Sequence, residues 1–268
     1  MLSDCKEVNM PAQNSQSKEV GEVERIDGKR LEELSRKRIY FGHQSVGYNL
    51  LEGLAEVLRE YPDAKIGIVE LNANGSPTEA YGILHSKIGK NGNPFRKIQA
   101  FNRIVLEGGE GTRWDVAFFK FCYVDFYEGV NVEEIFDAYR KNIAEIQAKR
   151  PDLLLVHMTV PLTTGKVTPK EWVKSILGRK EIEYMGNINR NRFNELLRAE
   201  YGGKALIFDL AWIENIRPDG KRATFESGGR TYERLAGEYT DDGGHLNKDG
   251  RVRAGRRFLE FLAGLPGK

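Results

Sequence analysis

Long apolar runs are absent from this chain. No stretch is apolar enough for long enough to span a bilayer, and the first residues carry no apolar signal-peptide core. A leader removed beforehand would place the protein outside the cytoplasm, secreted or periplasmic; otherwise a cytoplasmic location is expected. Cysteine is scarce. The sequence holds Cys5 and Cys122 and no C-x-x-C pair, so neither a disulfide framework nor a zinc site is indicated. Cys5 follows Asp4 rather than the small residue that lipid-anchor processing uses, and reads as an ordinary cysteine of a polar tail. An excess of one charge is missing too. With 41 basic and 39 acidic residues the formal net charge is +2, which gives no reason to expect nucleic acid or an anionic membrane as partner. Histidine is rare, and His43, His85, His157 and His245 show no metal-ligand spacing. There is no phosphate-loop or dinucleotide fingerprint, so no metal or other cofactor is expected.

What is present is an ordinary globular composition in a chain long enough to bury a core unaided. Residues 1–28 are rich in Ser, Asn, Gln, Glu and Lys, which predicts a disordered or loosely attached tail before one domain over 29–268. The domain alternates apolar runs with helical spacing. Strands are expected at 38–42, 65–71, 115–122, 152–158 and 205–209, and helices at 46–60, 132–150, 188–201 and 250–262. Most of the strands are continuously apolar, as strands covered by helices on both faces must be. The expected fold is therefore α/β: a doubly wound three-layer α/β/α architecture on a five-stranded parallel sheet. Two connections, 72–96 and 159–186, are long enough to be functional or to hide small helices. In such sheets ligands bind beyond the carboxyl ends of the strands, so chemistry is sought there.

After the first strand stands Gly42-His43-Gln44-Ser45-Val46-Gly47, opening into a helix. A serine there is either a helix cap or a nucleophile beside backbone N–H groups that favour an oxyanion. Near the C-terminus stands Asp241-Asp242-Gly243-Gly244-His245-Leu246-Asn247. Its D-x-x-H spacing puts a carboxylate within local reach of an imidazole, as a general base requires, although a glycine-rich turn with a chance histidine has the same letters. Lys120, inside an apolar strand, must pair, snorkel or face the site; Asp125 is its possible partner or a helix cap. Cys122 reads as core, and His157 as a satisfied core histidine.

These runs resemble the SGNH (GDSL-type) hydrolase family. Arg38 to Ser45 is similar to the block ending G-D-S, with His43 at the glycine and Gln44 at the aspartate. Asp242-Gly-Gly-His245-Leu-Asn matches D-x-x-H-L-N, and Trp114 to Asp125 lies in register with the block ending G-x-N-D. Leu153 to Pro161 and Asn191 to Leu210 are similar to the later strands and helix, so the likeness spans roughly 35–265. The resemblance implies a flavodoxin-like fold and ester or acyl hydrolysis: Ser45 attacks, His245 is the base, Asp242 orients it. Oxyanion donors would be the Ser45 N–H and a glycine N–H, from Gly75 or Gly89. The family's oxyanion asparagine is Val124 here, whose side chain donates nothing. Asn74, Asn91 and Lys120 are the candidates to replace it, and His43 and Gln44 could reshape the hole or the pocket. The partner expected is a small-molecule or carbohydrate ester, including O-acetyl sugars, with Tyr123, Phe126, Tyr127 and Trp212 as rim aromatics. Rival readings are an inert SGNH-like domain that binds a glycan or another ligand, and a nucleotide or phosphate binder, which His43-Gln44-Ser45 would serve poorly. Oligomeric state is not written in the sequence.

Overall fold

A computed structural model describes residues 25–71, 80–107, 113–165 and 181–267. The elements run α1 (Gly28–Ser35), β1 (Arg38–His43), α2 (Ser45–Leu58), β2 (Ile68–Glu70), β3 (Gly82–Lys87), α3 (Pro94–Glu107), β4 (Val116–Phe119), α4 (Val132–Lys149), β5 (Leu154–Met158), α5 (Glu181–Tyr201), β6 (Leu206–Phe208), α6 (Leu210–Asn215), the hairpin β7 (Thr224–Ser227) and β8 (Arg230–Glu233), and α7 (Lys248–Ala263). The main sheet has the order β2-β3-β1-β4-β5-β6, with every pair parallel. The three-layer α/β/α architecture expected from the sequence is present, with six strands rather than five. The added strand, β3, lies inside the stretch 72–96 expected to be loop. Ahead of α1, the Asp27 side chain caps the helix and the Ile26 N–H donates to Tyr61 Oη at 3.3 Å.

The layers follow from alternation along buried strands. Ile39 and Phe41 of β1 and Val116 and Phe118 of β4 pack on one face with Leu50, Leu54, Phe258 and Leu259. Tyr40, Ala117 and Phe119 pack on the other with Phe101, Ile135, Tyr139 and Phe193. A side-chain period of two therefore feeds two separate cores. Each buried leucine contributes roughly 1.5–3 kcal/mol.

On the first face α2 and α7 approach backbone to backbone. A Cβ on Gly53 would lie 1.8 Å from the Arg251 carbonyl oxygen, and one on Gly255 would lie 2.2 Å from the Gly53 carbonyl carbon. Only glycines permit this approach. It brings the start of α7, and the loop before it, against α2.

Candidate active site

The strand order reverses around β1, whose neighbours are β3 and β4. The crevice of a doubly wound sheet opens at such a point, above the carboxyl ends of the strands. The chain leaves β1 there through Gln44 into α2. Gln44, not Ser45, is the N-cap, with extended backbone and no capping bond from its side chain. Its Nε2 instead donates to the Ile88 carbonyl at 2.9 Å and the Gly89 carbonyl at 3.4 Å. Ser45 is the half-buried first residue of α2, where helix N–H groups lack intrahelical partners.

The loop before α7 carries the second group. His245 Nδ1 donates to Asp242 Oδ2 at 2.6 Å. Asp242 Oδ1 accepts from the N–H groups of Gly244 at 2.9 Å and His245 at 2.7 Å. Partial burial raises the Asp242 carboxyl, but the imidazole and the two backbone donors outweigh it and bring it down to about 2. The anionic carboxylate keeps the proton on Nδ1 and leaves Nε2 as an acceptor. Tyr123 Oη lies 3.5 Å from Nε2.

Two hydrogen bonds seat this loop. The Leu246 N–H donates to Asn49 Oδ1 at 3.1 Å, and the Thr164 N–H to the Gly243 carbonyl at 2.8 Å. Asn49 lies one helical turn beyond Ser45 on the same face of α2, and Leu246 follows His245. The start of α2 and the histidine loop thus meet at one end of the sheet.

Several candidates have other duties. Asp125 is fully buried and pairs with Lys97, not Lys120: Lys97 Nζ donates to Asp125 Oδ2 at 2.5 Å and to Asn91 Oδ1 at 3.0 Å. Asp125 also accepts from the N–H groups of Cys122 at 2.7 Å and Gly92 at 2.9 Å, fastening the loop after β3 to the turn after β4. Lys120 is fully buried, and its Nζ donates to the Phe121 carbonyl at 3.2 Å. Burial lowers its pKa, and a group so enclosed does not reach a substrate. Nearby, burial pushes the Glu214 carboxyl up to about 8, against the hydrogen bond from the Leu162 N–H and the charge of Lys120.

His43 is likewise enclosed, which removes it as a direct substrate contact. Its Nε2 lies 3.0 Å from His85 Nδ1, and burial, with the Lys120 charge behind it, brings its pKa down to about 3. His157 is buried against Tyr139 Oη at 2.7 Å, and burial lowers its pKa to about 4. Gly89 and Asn91 are exposed at the rim beside Gln44, whereas Asn74 and Gly75 lie outside the described residues. Cys122 and Phe126 are core, and Val124, Tyr127 and Trp212 are exposed. Among the described residues no three His, Cys, Asp or Glu side chains are grouped to hold a metal ion, and no helix is long and apolar enough to cross a membrane.

Sequence reasoning missed Lys97, because the helix that carries it was not recognised. It also missed Arg190, which donates from Nε to the Tyr123 carbonyl at 2.9 Å and lies 5.7 Å from that ring's centroid.

No protein-family model matches this sequence, and no curated protein matches it. Solved structures similar to it include a GDSL-like lipase from Bacteroides thetaiotaomicron, 12% identical over 86% of this chain and 89% of its own, with a TM-score of 0.47. A lipase/acylhydrolase from Enterococcus faecalis is 14% identical over 87% and 98%, with a TM-score of 0.43. The periplasmic domain of a lipopolysaccharide acetyltransferase from Salmonella ser. Paratyphi A is 12% identical over 85% and 84%, with a TM-score of 0.42. At such identities and TM-scores these likenesses carry nothing about chemistry, which has to be read from the site itself.

Proposed function

We propose that this protein is a serine hydrolase of esters, with Ser45 as nucleophile, His245 as general base and Asp242 as the group that orients the imidazole. The observation that carries this reading is the Asp242–His245 hydrogen bond, on a loop bonded to α2 one turn from Ser45. An orienting carboxylate fixes the tautomer whose Nε2 accepts a proton. Ser45 Oγ would attack the acyl carbon as its proton passes to Nε2. The imidazolium then protonates the departing alcohol, and water hydrolyses the acyl-enzyme by the reverse proton path. The N–H groups of Ser45 and Gly89 are the proposed oxyanion donors. Among the described residues Asn91 is the proposed side-chain donor, since Lys97 holds its Oδ1 and leaves the amide NH2 free to donate. The substrate class proposed is a small-molecule or carbohydrate ester.

The test is hydrolysis of p-nitrophenyl acetate by the parent, Ser45→Ala and His245→Ala, beside labelling with a fluorophosphonate. Turnover in the parent and background rates in both variants are expected. Val124, exposed and unable to donate, favours one rival, an inert domain that binds a glycan or another ligand. A folded parent that neither turns over the ester nor takes the label would overturn the hydrolase reading in favour of that rival.

A further inference from the structure

Tyr123 is the feature of this site that the Ser–His–Asp scheme leaves without a role. Its hydroxyl lies 3.5 Å from His245 Nε2, with the two rings edge to face at 5.7 Å. The carboxylate keeps Nδ1 protonated, so the phenol donates and Nε2 accepts. The ring is held from several sides. Arg190 binds its carbonyl and lies over its face. Asp125 fixes the turn that carries it through the Cys122 N–H and the buried Lys97. Gly244 leaves room for the phenol, since a Cβ there would stand 3.0 Å from Tyr123 Cζ. A phenol placed so firmly beside the base is preorganised rather than incidental.

The position has a chemical meaning. Nε2 takes the proton from Ser45 Oγ and gives it to the leaving oxygen, so that oxygen must come within hydrogen-bond reach of Nε2. A phenol 3.5 Å from Nε2 borders the space that oxygen must enter.

We infer that Tyr123 donates a hydrogen bond to the departing oxygen during acylation, which fits the site to esters of weakly acidic alcohols, alkyl or sugar hydroxyls, rather than activated aryl esters. The inference rests on the serine-hydrolase reading. In the step itself the Ser45 Oγ–acyl bond forms, the acyl–oxygen bond to the alcohol breaks, and the Nε2 proton goes to the leaving oxygen. Tyr123 keeps its own proton throughout and shares the charge that develops before that transfer is complete. Poor leaving groups need such help most, because their alkoxides hold charge least well.

The experiment compares kcat/KM, which reports acylation, for p-nitrophenyl acetate and for ethyl acetate or a peracetylated sugar, in the parent and in Tyr123→Phe. The phenylalanine keeps the ring between Arg190 and Gly244. At least a tenfold loss on the alkyl or sugar ester is expected, mainly in kcat, with p-nitrophenyl acetate changed less than about twofold. An equal loss on both esters, or no loss on either, overturns the inference while the hydrolase reading stands. A parent inert toward every ester and toward fluorophosphonate overturns both. If Tyr123→Phe does not fold, a fluorinated tyrosine at position 123 keeps the ring and changes only the acidity of its phenol. A kcat/KM that shifts with phenol acidity on the alkyl ester and not on p-nitrophenyl acetate supports the donor, and no shift on the alkyl ester refutes it.

Discussion

The sharpest perturbation of this architecture is a single methyl group at Gly53. In an ordinary helix Gly→Ala stabilises, by up to about 1 kcal/mol. Here the new Cβ would lie 1.8 Å from the Arg251 carbonyl oxygen and 2.4 Å from its carbonyl carbon. Ordinary contact begins near 3.4 Å, so α2 and α7 must part by about 1.5 Å. The obstacle is helix backbone and cannot swing aside as a side chain would. Parting the helices loosens Leu50, Leu54, Phe258 and Leu259, all fully buried between them and the sheet. Overpacking of a tight core costs about 1–3 kcal/mol, and a backbone obstacle puts this case at the upper end. After the helix-propensity gain, a net loss of roughly 2 kcal/mol remains, or about 4–8 °C in Tm. Urea unfolding followed by far-UV circular dichroism measures it. The same displacement pulls the Leu246–Asn49 bond and moves His245 away from Ser45, and an ångström of misplacement costs on the order of a hundredfold in rate. Fluorophosphonate labelling should therefore slow in the folded variant. Gly53→Ala protein as stable as the parent, or more stable, would refute the close-approach reasoning.

Asp242→Asn should lower kcat/KM by roughly a thousandfold to ten-thousandfold, because an amide facing Nδ1 no longer enforces the tautomer that leaves Nε2 free to accept; unchanged kinetics would remove Asp242 as the orienting group. Lys97→Met should cost about 3–5 kcal/mol in a denaturant melt, since it strands the Asp125 carboxylate fully buried, and adding Asp125→Asn should recover part of that; a loss below about 1 kcal/mol counts against the buried pair. Glu214 sits near 8 when folded and near 4.5 in the open chain, so the stability it contributes is complete below about 4.5 and lost as pH rises through 8. The parent should thus lose several kcal/mol relative to Glu214→Gln between pH 5 and pH 8.5, and a pH-independent difference would show that the carboxyl is not displaced. His43 and His157 act oppositely. Their folded values, near 3 and 4, lie below the open-chain value, so their contribution is complete above about 6.5 and lost as pH falls toward those values. Urea melts of Glu214→Gln protein, which lacks the opposing carboxyl, at pH 6.5 and pH 4.5 should show the loss, and equal stability at the two would sink this reading.

The parts legible in the sequence are those whose physics is local. D-x-x-H needs only a turn to join Asp242 and His245, and β1, β4 and β5 are written as apolar runs. Strand β3 was hidden because its letters, Gly-Ile-Leu-His-Ser-Lys, mix polar residues into a buried strand. The structure accommodates them by pairing across the sheet: His85 meets His43, and Ser86 Oγ lies 2.9 Å from Tyr40 Oη. No periodicity reveals partners that lie on another strand. The partner of Asp125 was illegible for a similar reason, since Lys97 is 28 residues away on a helix whose first residue is a proline. Tyr123 was visible only as a rim aromatic. Its relation to His245 depends on how the turn after β4 is held against the loop before α7.

The helix α5 shows what such holding requires. Beside the core residues Phe193 and Leu197, its buried side carries asparagines at 187, 191 and 194, where an amphipathic helix would carry further leucines. Each amide clasps both backbone groups of one buried residue. Asn194 accepts from the Val160 N–H and donates to its carbonyl, at 2.7 and 3.0 Å. Asn187 does the same for Thr163 at 3.1 and 2.7 Å, and Asn191 for Glu233 at 2.9 and 2.9 Å. The chain after β5 runs buried outside any strand, and unsatisfied backbone groups there would cost about 1–3 kcal/mol each. Asn187 and Asn194 supply that chain with partners a further strand would have supplied, and Asn191 between them does so for Glu233 at the end of β8. An apolar face could fill the same volume, but it could not fix the path of that chain. The path matters, because Thr164, next to the clasped Thr163, donates its N–H to Gly243 in the loop of Asp242 and His245. Arg190, between the asparagines on the same helix, bonds Thr163 Oγ1 at 2.8 Å and the Tyr123 carbonyl at 2.9 Å. One polar helix face therefore sets the positions of the imidazole and of the phenol beside it.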